Sequence, residues 1–134
     1  MKTEIIKKTD KYGTIFYYNE KDQLHRDNDL PAVEDADGFK SWWRHGKPHR
    51  DNDLPAIEDN FDGYKVWYVN GKLHRDNGLP AIEGADGSKA WYVNGIEMTE
   101  AEAKKMFAKQ KTTTDEIDAT PAPREALRIS SGEG

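Results

Sequence analysis

Trp67-Tyr68-Val69-Asn70-Gly71-Lys72-Leu73-His74-Arg75-Asp76-Asn77-Gly78-Leu79-Pro80-Ala81 is the stretch that decides the fold. Lys65 to Val69 is rich in β-branched and aromatic residues, which suit a pleated, half-buried surface. Asn70-Gly71 follows, and then a second short run, Lys72 to Arg75. Asn-Gly between two such runs signals a hairpin, because a type I′ turn needs positive φ at both central residues. A two-residue loop fixes the register. Val69 faces Lys72, Tyr68 faces Leu73, and Trp67 faces His74.

The stretch is one copy of a repeat. His-Arg-Asp-Asn-Asp-Leu-Pro-Ala stands at His25 to Ala32 and again at His49 to Ala56. His74 to Ala81 differs from it by Gly78 in place of Asp. Asp37-Gly38, Asp62-Gly63 and Asp86-Gly87 follow the copies and precede Trp42, Trp67 and Trp91. Repetition of this kind marks a stacked array of supersecondary units. The register carries over. With His45-Gly46 as the turn, Trp42 faces His49. With Asn19-Glu20-Lys21-Asp22 as the first loop, Phe16 faces His25. At Asn94-Gly95, Trp91 faces Met98, and His-Arg-Asp is lost, as expected of a terminal unit. Pro31, Pro55 and Pro80 argue that the linking segments are edges, bulges or strand starts.

The expected fold is therefore mainly β, an antiparallel meander of three to four hairpin repeats from about Tyr12 to Met98. Thr99-Glu100-Ala101-Glu102 fits a capping box, which predicts a C-terminal helix over about 99–111. Ala103, Met106 and Phe107 share one face of it, and Met106 and Phe107 are expected against Trp91 or Tyr92. Residues 1–111 then form one domain. Residues 112–134 are polar and Pro-containing and read as a flexible tail, with Leu127-Arg128-Ile129 able to dock on a partner chain.

Composition narrows the function. The 134 residues carry a net charge of −5 and no cysteine. Phosphate neutralisation, and hence nucleic-acid binding, is disfavoured, as are disulfides and thiol chemistry. No apolar run approaches a membrane span, and no signal-peptide core precedes the repeats, so a cytoplasmic or virion location is expected.

The aromatic strand, Asn70-Gly71-Lys72 turn and returning His74, closed by Ala85-Asp86-Gly87, resemble a MORN repeat over roughly Gly13 to Met98. Two features depart from that family. Arg75-Asp76-Asn77-Gly78-Leu79-Pro80-Ala81 replaces its Gly-x-Gly, and the unit is one or two residues longer. The His-Arg-Asp-Asn-Asp-Leu-Pro-Ala variant is similar to repeats in poorly characterised tailed-phage and giant-virus proteins. The resemblance implies a β-repeat scaffold for protein–protein contacts.

The repeated side chains are the candidate binding residues: Trp42, Trp67 and Trp91; His25, His49 and His74; Arg26, Arg50 and Arg75. Equivalent histidines two strands apart lie roughly 10 Å from one another. That is too far to share a zinc ion, so each His is expected to pack on its cross-strand aromatic and bond a nearby turn. The Asp-rich turns lack a full calcium loop. The arginines are expected to pair internally, with Asp27, Asp51 and Asp76 or with neighbouring acidic turns. Three copies of His-Arg-Asp without a Gly-rich loop or Asp-Phe-Gly are not a kinase, and no nucleophile–base grouping is visible. No catalytic residue, metal or cofactor is expected. The reading is a non-enzymatic viral interaction module, either a virion or assembly component or an inhibitor of a host protein. Its partner is another protein or a second copy. The alternative is a protein that binds a nucleotide or phosphate through the His and Arg rows.

Overall fold

The structure, a computed structural model, describes residues 4–108. The tail reading for 112–134 and the last residues of the expected helix lie outside the described residues. Within them, nine strands form one antiparallel sheet: β1 (Ile6–Thr9), β2 (Ile15–Tyr18), β3 (Val33–Glu34), β4 (Phe39–Ser41), β7 (Ile57–Asp59), β8 (Tyr64–Val66), β11 (Ile82–Glu83), β12 (Lys89–Val93) and β13 (Ile96–Met98), in that spatial order. Two short ribbons branch from it, β5 (Trp43–Arg44) with β6 (Lys47–Pro48), and β9 (Tyr68–Val69) with β10 (Lys72–Leu73). The architecture is the expected meander with one C-terminal helix, α1, described over 100–108.

Each aromatic strand changes partner at its tryptophan. Trp42 donates its N–H to Ala56 O at 2.7 Å and accepts His49 N–H at 3.0 Å. Trp67 does the same with Ala81 (2.7 Å) and His74 (3.2 Å). The N–H side thus belongs to the main sheet and the C=O side to the hairpin ribbon. The ribbon register is the expected one, with Lys72 opposite Val69 and Leu73 opposite Tyr68. Asn70 and Gly71 have φ of 51° and 84°, as a type I′ turn demands. His45 takes the same left-handed conformation in the second unit at 51°. Trp91 lies opposite Met98.

The first hairpin departs from the expected register. His25 N–H bonds Tyr17 O at 3.0 Å, and Leu24 bridges Tyr18. His25 therefore faces Tyr17, not Phe16. The loop has three residues rather than four: Asn19 N–H reaches Gln23 O at 2.9 Å, and Asp22 turns the chain at φ 62°. Asn19 is buried, and its Oδ1 accepts the N–H groups of Lys21 and Gln23, both at 3.0 Å. That Asx-type cap selects the shorter loop. Tyr17, whose N–H bonds Ala32 O at 2.8 Å, is the first unit's counterpart of Trp42 and Trp67.

Two further features complete the sheet. β1 was not anticipated; its Ile-Lys-Lys-Thr is exposed throughout and carries no burial pattern. Pro31, Pro55 and Pro80 stand just ahead of β3, β7 and β11, so they mark the starts of strands that are paired on both sides. The core is thin and periodic. Ala32, Ala56 and Ala81 are fully buried, with Trp42, Trp67, Val33, Val66 and Val93 beside them. Alanine recurs at a position whose backbone is bonded on both sides. Ala56, for example, accepts from Trp42 and donates to Val66 O at 2.8 Å.

Candidate functional site

The repeated residues meet at the joints between consecutive units. The histidine joint comes first. His49 Nδ1 accepts the N–H of Asn70, the opening residue of the next hairpin turn, at 2.9 Å. His25 receives His45 N–H and His74 receives Asn94 N–H at the same distance. With Nδ1 accepting, the proton sits on Nε2. Nε2 faces the carboxylate two residues on: Asp27 at 2.9 Å, Asp51 at 2.7 Å and Asp76 at 2.7 Å. Two backbone bonds flank each ring. At the second joint Gly71 N–H bonds Pro48 O (2.9 Å) and Arg50 N–H bonds Tyr68 O (3.3 Å). The histidines are thus stitches between units, each bonded to a turn as expected.

The arginine joint lies beside it. The Arg50 guanidinium stacks 3.6 Å from the Trp42 ring centroid, and Arg75 stacks 3.8 Å from that of Trp67. Arg50 Nη1 donates to Pro55 O at 3.1 Å and to Glu58 at 3.4 Å. Its Nε and Nη2 grip Asp29 of the preceding unit at 2.9 and 3.3 Å. Arg75 repeats this with Pro80, Glu83 and Asp53. Internal pairing was expected. The partners are not Asp27, Asp51 and Asp76, which face the histidines; they are Asp29, Asp53 and the glutamates of the central strands. The signal was present in the sequence. Asp29 and Asp53 occur in the two units that are followed by an arginine unit, and Gly78 in the one that is not.

Asn28-Asp29, Asn52-Asp53 and Asn77-Gly78 are a second set of left-handed pairs, with φ between 57° and 72°. Their carbonyls also hold the tryptophans. Trp42, Trp67 and Trp91 donate indole N–H to Asp29, Asp53 and Gly78 O at 3.0, 3.0 and 2.9 Å. Gly78 makes room for α1: a Cβ there would stand 2.7 Å from Lys104 Cγ and 3.0 Å from Lys104 Cα. The capping box is formed as expected. Thr99 N–H donates to Glu102 at 2.9 Å, and Glu102 N–H to Thr99 Oγ1 at 3.1 Å. The burial on α1 differs from the expectation. Ala103 is the deeply buried residue, Phe107 is half-buried in a cleft with Asn77 and Lys104, and Met106 is exposed. The helix caps the Asn77-Gly78 turn, and an alanine allows the closer approach.

Charge is spent locally. Arg44 Nη2 lies 2.7 Å from Asp51, and its hydrogen bond, followed by that of His49, holds the Asp51 carboxyl below the usual range. Burial, followed by the charge of Asp59 and Asp62, raises the Tyr64 phenol. The acidic turns use their own carboxylates. Asp35 Oδ1 accepts from Asp37 and Phe39 N–H, and Asp59 Oδ1 from Phe61 and Asp62 N–H. Among the described residues no group of three or more His, Asp or Glu is placed to hold a metal ion, and no helix is long and apolar enough to cross a membrane.

Apolar surface lies beside these joints. Leu30, Leu54 and Leu79 occupy one position in three successive units and are 43%, 36% and 38% exposed. Their units repeat every two strands, so the leucines form a ladder with a rise of roughly 10 Å. Phe61 and Tyr12 project from turns on the β7–β8 and β1–β2 connections and are largely exposed. No protein-family model, no curated protein and no solved structure matches this chain.

Proposed function

We propose that the chain is a non-enzymatic protein-binding repeat module. The leucine ladder carries this reading. It presents apolar side chains at fixed intervals on a rigid sheet, which suits a partner with a complementary period. The histidines and two of the three arginines, Arg50 and Arg75, are consumed in holding the units together, so a nucleotide or phosphate could use those only by breaking pairs such as Arg50–Asp29. That argues against the small-ligand alternative. The MORN-like character of the unit supports a scaffold role. Its similarity to tailed-phage and giant-virus repeats supports a viral setting, as a virion component or an inhibitor of a host protein. The test compares the wild type with Leu54→Glu/Leu79→Glu by light scattering and by cross-linking in host lysate. The wild type should self-associate or acquire one stoichiometric partner, and the variant should do neither while keeping its thermal midpoint. A wild type that stays a lone, unpartnered monomer overturns the proposal.

A further inference from the structure

Arg26 is built like Arg50 and Arg75 but is one contact short. Its guanidinium stacks 3.7 Å from the Tyr17 ring centroid. Nη1 is fixed by Pro31 O at 3.1 Å and by Glu34 at 2.9 Å. In the other two joints the remaining edge, Nε with Nη2, closes on Asp29 or Asp53. Among the described residues no carboxylate meets that edge of Arg26. Its side chain is 21% exposed, against 12% and 13% for Arg50 and Arg75. Glu4 stands 25 residues before Asp29, at the matching place in the repeat, yet it is exposed and forms no ion pair among the described residues. An open cleft of about 450 Å³ lies alongside, lined by Ile5, Lys7, Tyr17, Arg26, Asp27, Asn28 and Leu30.

We propose that this edge of Arg26 receives an aspartate carboxylate from a turn of a partner protein. The fork is already oriented, because ring, carbonyl and Glu34 hold the guanidinium plane. Its two parallel N–H groups match the two oxygens of a carboxylate. Lys7 adds a second positive charge to the cleft, and Asp27, which also lines it, has its Oδ1 on His25 Nε2 at 2.9 Å. Ile5 and Leu30 give it an apolar lip, suited to a leucine directly after the aspartate, as Leu30 and Leu54 follow Asp29 and Asp53. The chain thus carries two internal examples of the ligand it would take from outside. This assignment rests on the protein-binding reading and names the chemistry of one partner contact.

The experiment titrates the full-length, 15N-labelled protein and follows the arginine Nε–H resonances. The probe is the acetylated, amidated peptide Asn-Asp-Leu-Pro-Ala, taken to about 10 mM, since a single exposed contact of this kind falls near the millimolar range. The Arg26 resonance should move and saturate, while those of Arg50 and Arg75 stay in place. Asn-Asn-Leu-Pro-Ala should move nothing, Arg26→Lys should weaken the peptide at least several-fold, and acetate should bind more weakly than the peptide. Equal response to both peptides, or none to either, overturns the site. Acetate binding as well as the peptide would make this a small-carboxylate site and overturn the protein partner. A large shift of Arg26 Nε–H in Glu4→Gln before any peptide is added would show that Glu4 fills the fork, which also overturns it. The ladder test reads Leu54 and Leu79, which do not line this cleft, so the two failures are distinguishable.

Discussion

Replacing Gly78 with aspartate restores the repeat motif and should nevertheless destabilise the protein. Asp29 and Asp53 adopt φ of 57° and 58° at the same place, so aspartate tolerates this backbone and the conformational cost is small. The cost comes from α1. A Cβ on Gly78 meets Lys104 Cα at 3.0 Å, and a helix backbone does not yield as a side-chain tip does. Overpacking of this kind costs about 1–3 kcal/mol. It cannot exceed the value of docking the helix, because beyond that the helix simply lifts. Docking buries Ala103 and half-buries Phe107, which at roughly 0.8 kcal/mol per buried methylene amounts to about 2–3 kcal/mol. Gly87 supplies the control. Its φ is 87°, but a Cβ there meets nothing within 4 Å, so Gly87→Asp carries the backbone cost alone. Urea denaturation followed by tryptophan fluorescence should place Gly78→Asp about 1.5–3 kcal/mol below the wild type. Gly87→Asp should fall within about 1 kcal/mol of it. Hydrogen exchange over 100–108 should accelerate in Gly78→Asp only. Equal costs for the two variants would show that helix contact does not explain the glycine.

Other perturbations read other joints. Arg50→Lys keeps the charge but loses both the fork on Asp29 and the stack on Trp42, and chemical denaturation should show a loss of about 1–2 kcal/mol. Trp67→Ala empties a buried site and removes the indole bond to Asp53 O, for a loss of about 3–5 kcal/mol by the same assay. Ala56→Val adds two methyl groups at a position with no free surface, and the thermal midpoint should fall by an amount matching about 1–3 kcal/mol. Asp51 has a folded-state pKa below its unfolded one, so its contribution is complete above the unfolded value of about 4 and disappears as pH falls through the folded value. The stability advantage of the wild type over Asp51→Asn should accordingly shrink from neutral pH towards pH 3, and a constant difference across that range would contradict the assignment.

The hairpins bounded by Asn-Gly were legible because that dipeptide specifies a turn type, and the turn type specifies the register. Asn19-Glu20-Lys21-Asp22 specifies neither. Loops of three and four residues suit it equally until Asn19 is seen to be buried, and one residue of difference exchanged Phe16 for Tyr17. The capping box was readable from Thr99 and Glu102 alone, since both halves lie within one turn. Burial on the helix was not, because it depends on how closely Gly78 lets the backbone approach. β1 was invisible for a related reason. Its Lys7 and Lys8 lie on an exposed edge strand, where no periodicity of burial is imposed. At the joints the residue types were evident, and so was internal pairing. The choice of Asp29 over Asp27 for Arg50 was not, because these aspartates lie two positions apart on a tight turn and only the stacking of units shows which carboxylate points forward.

The division of each Arg–Asp pair between neighbours has a consequence for how such a chain grows. Residues 42–66 carry Arg50, which needs an aspartate from behind, and Asp53, which supplies one to the unit ahead. The segment is a link with one hook and one eye. A tandem duplication of it would meet a matching half at both new seams, whereas insertion of part of a link would separate a guanidinium from its carboxylate. Lengthening by whole links needs no compensating substitution. It stops where the eye is missing, at Gly78, which is where α1 lies down.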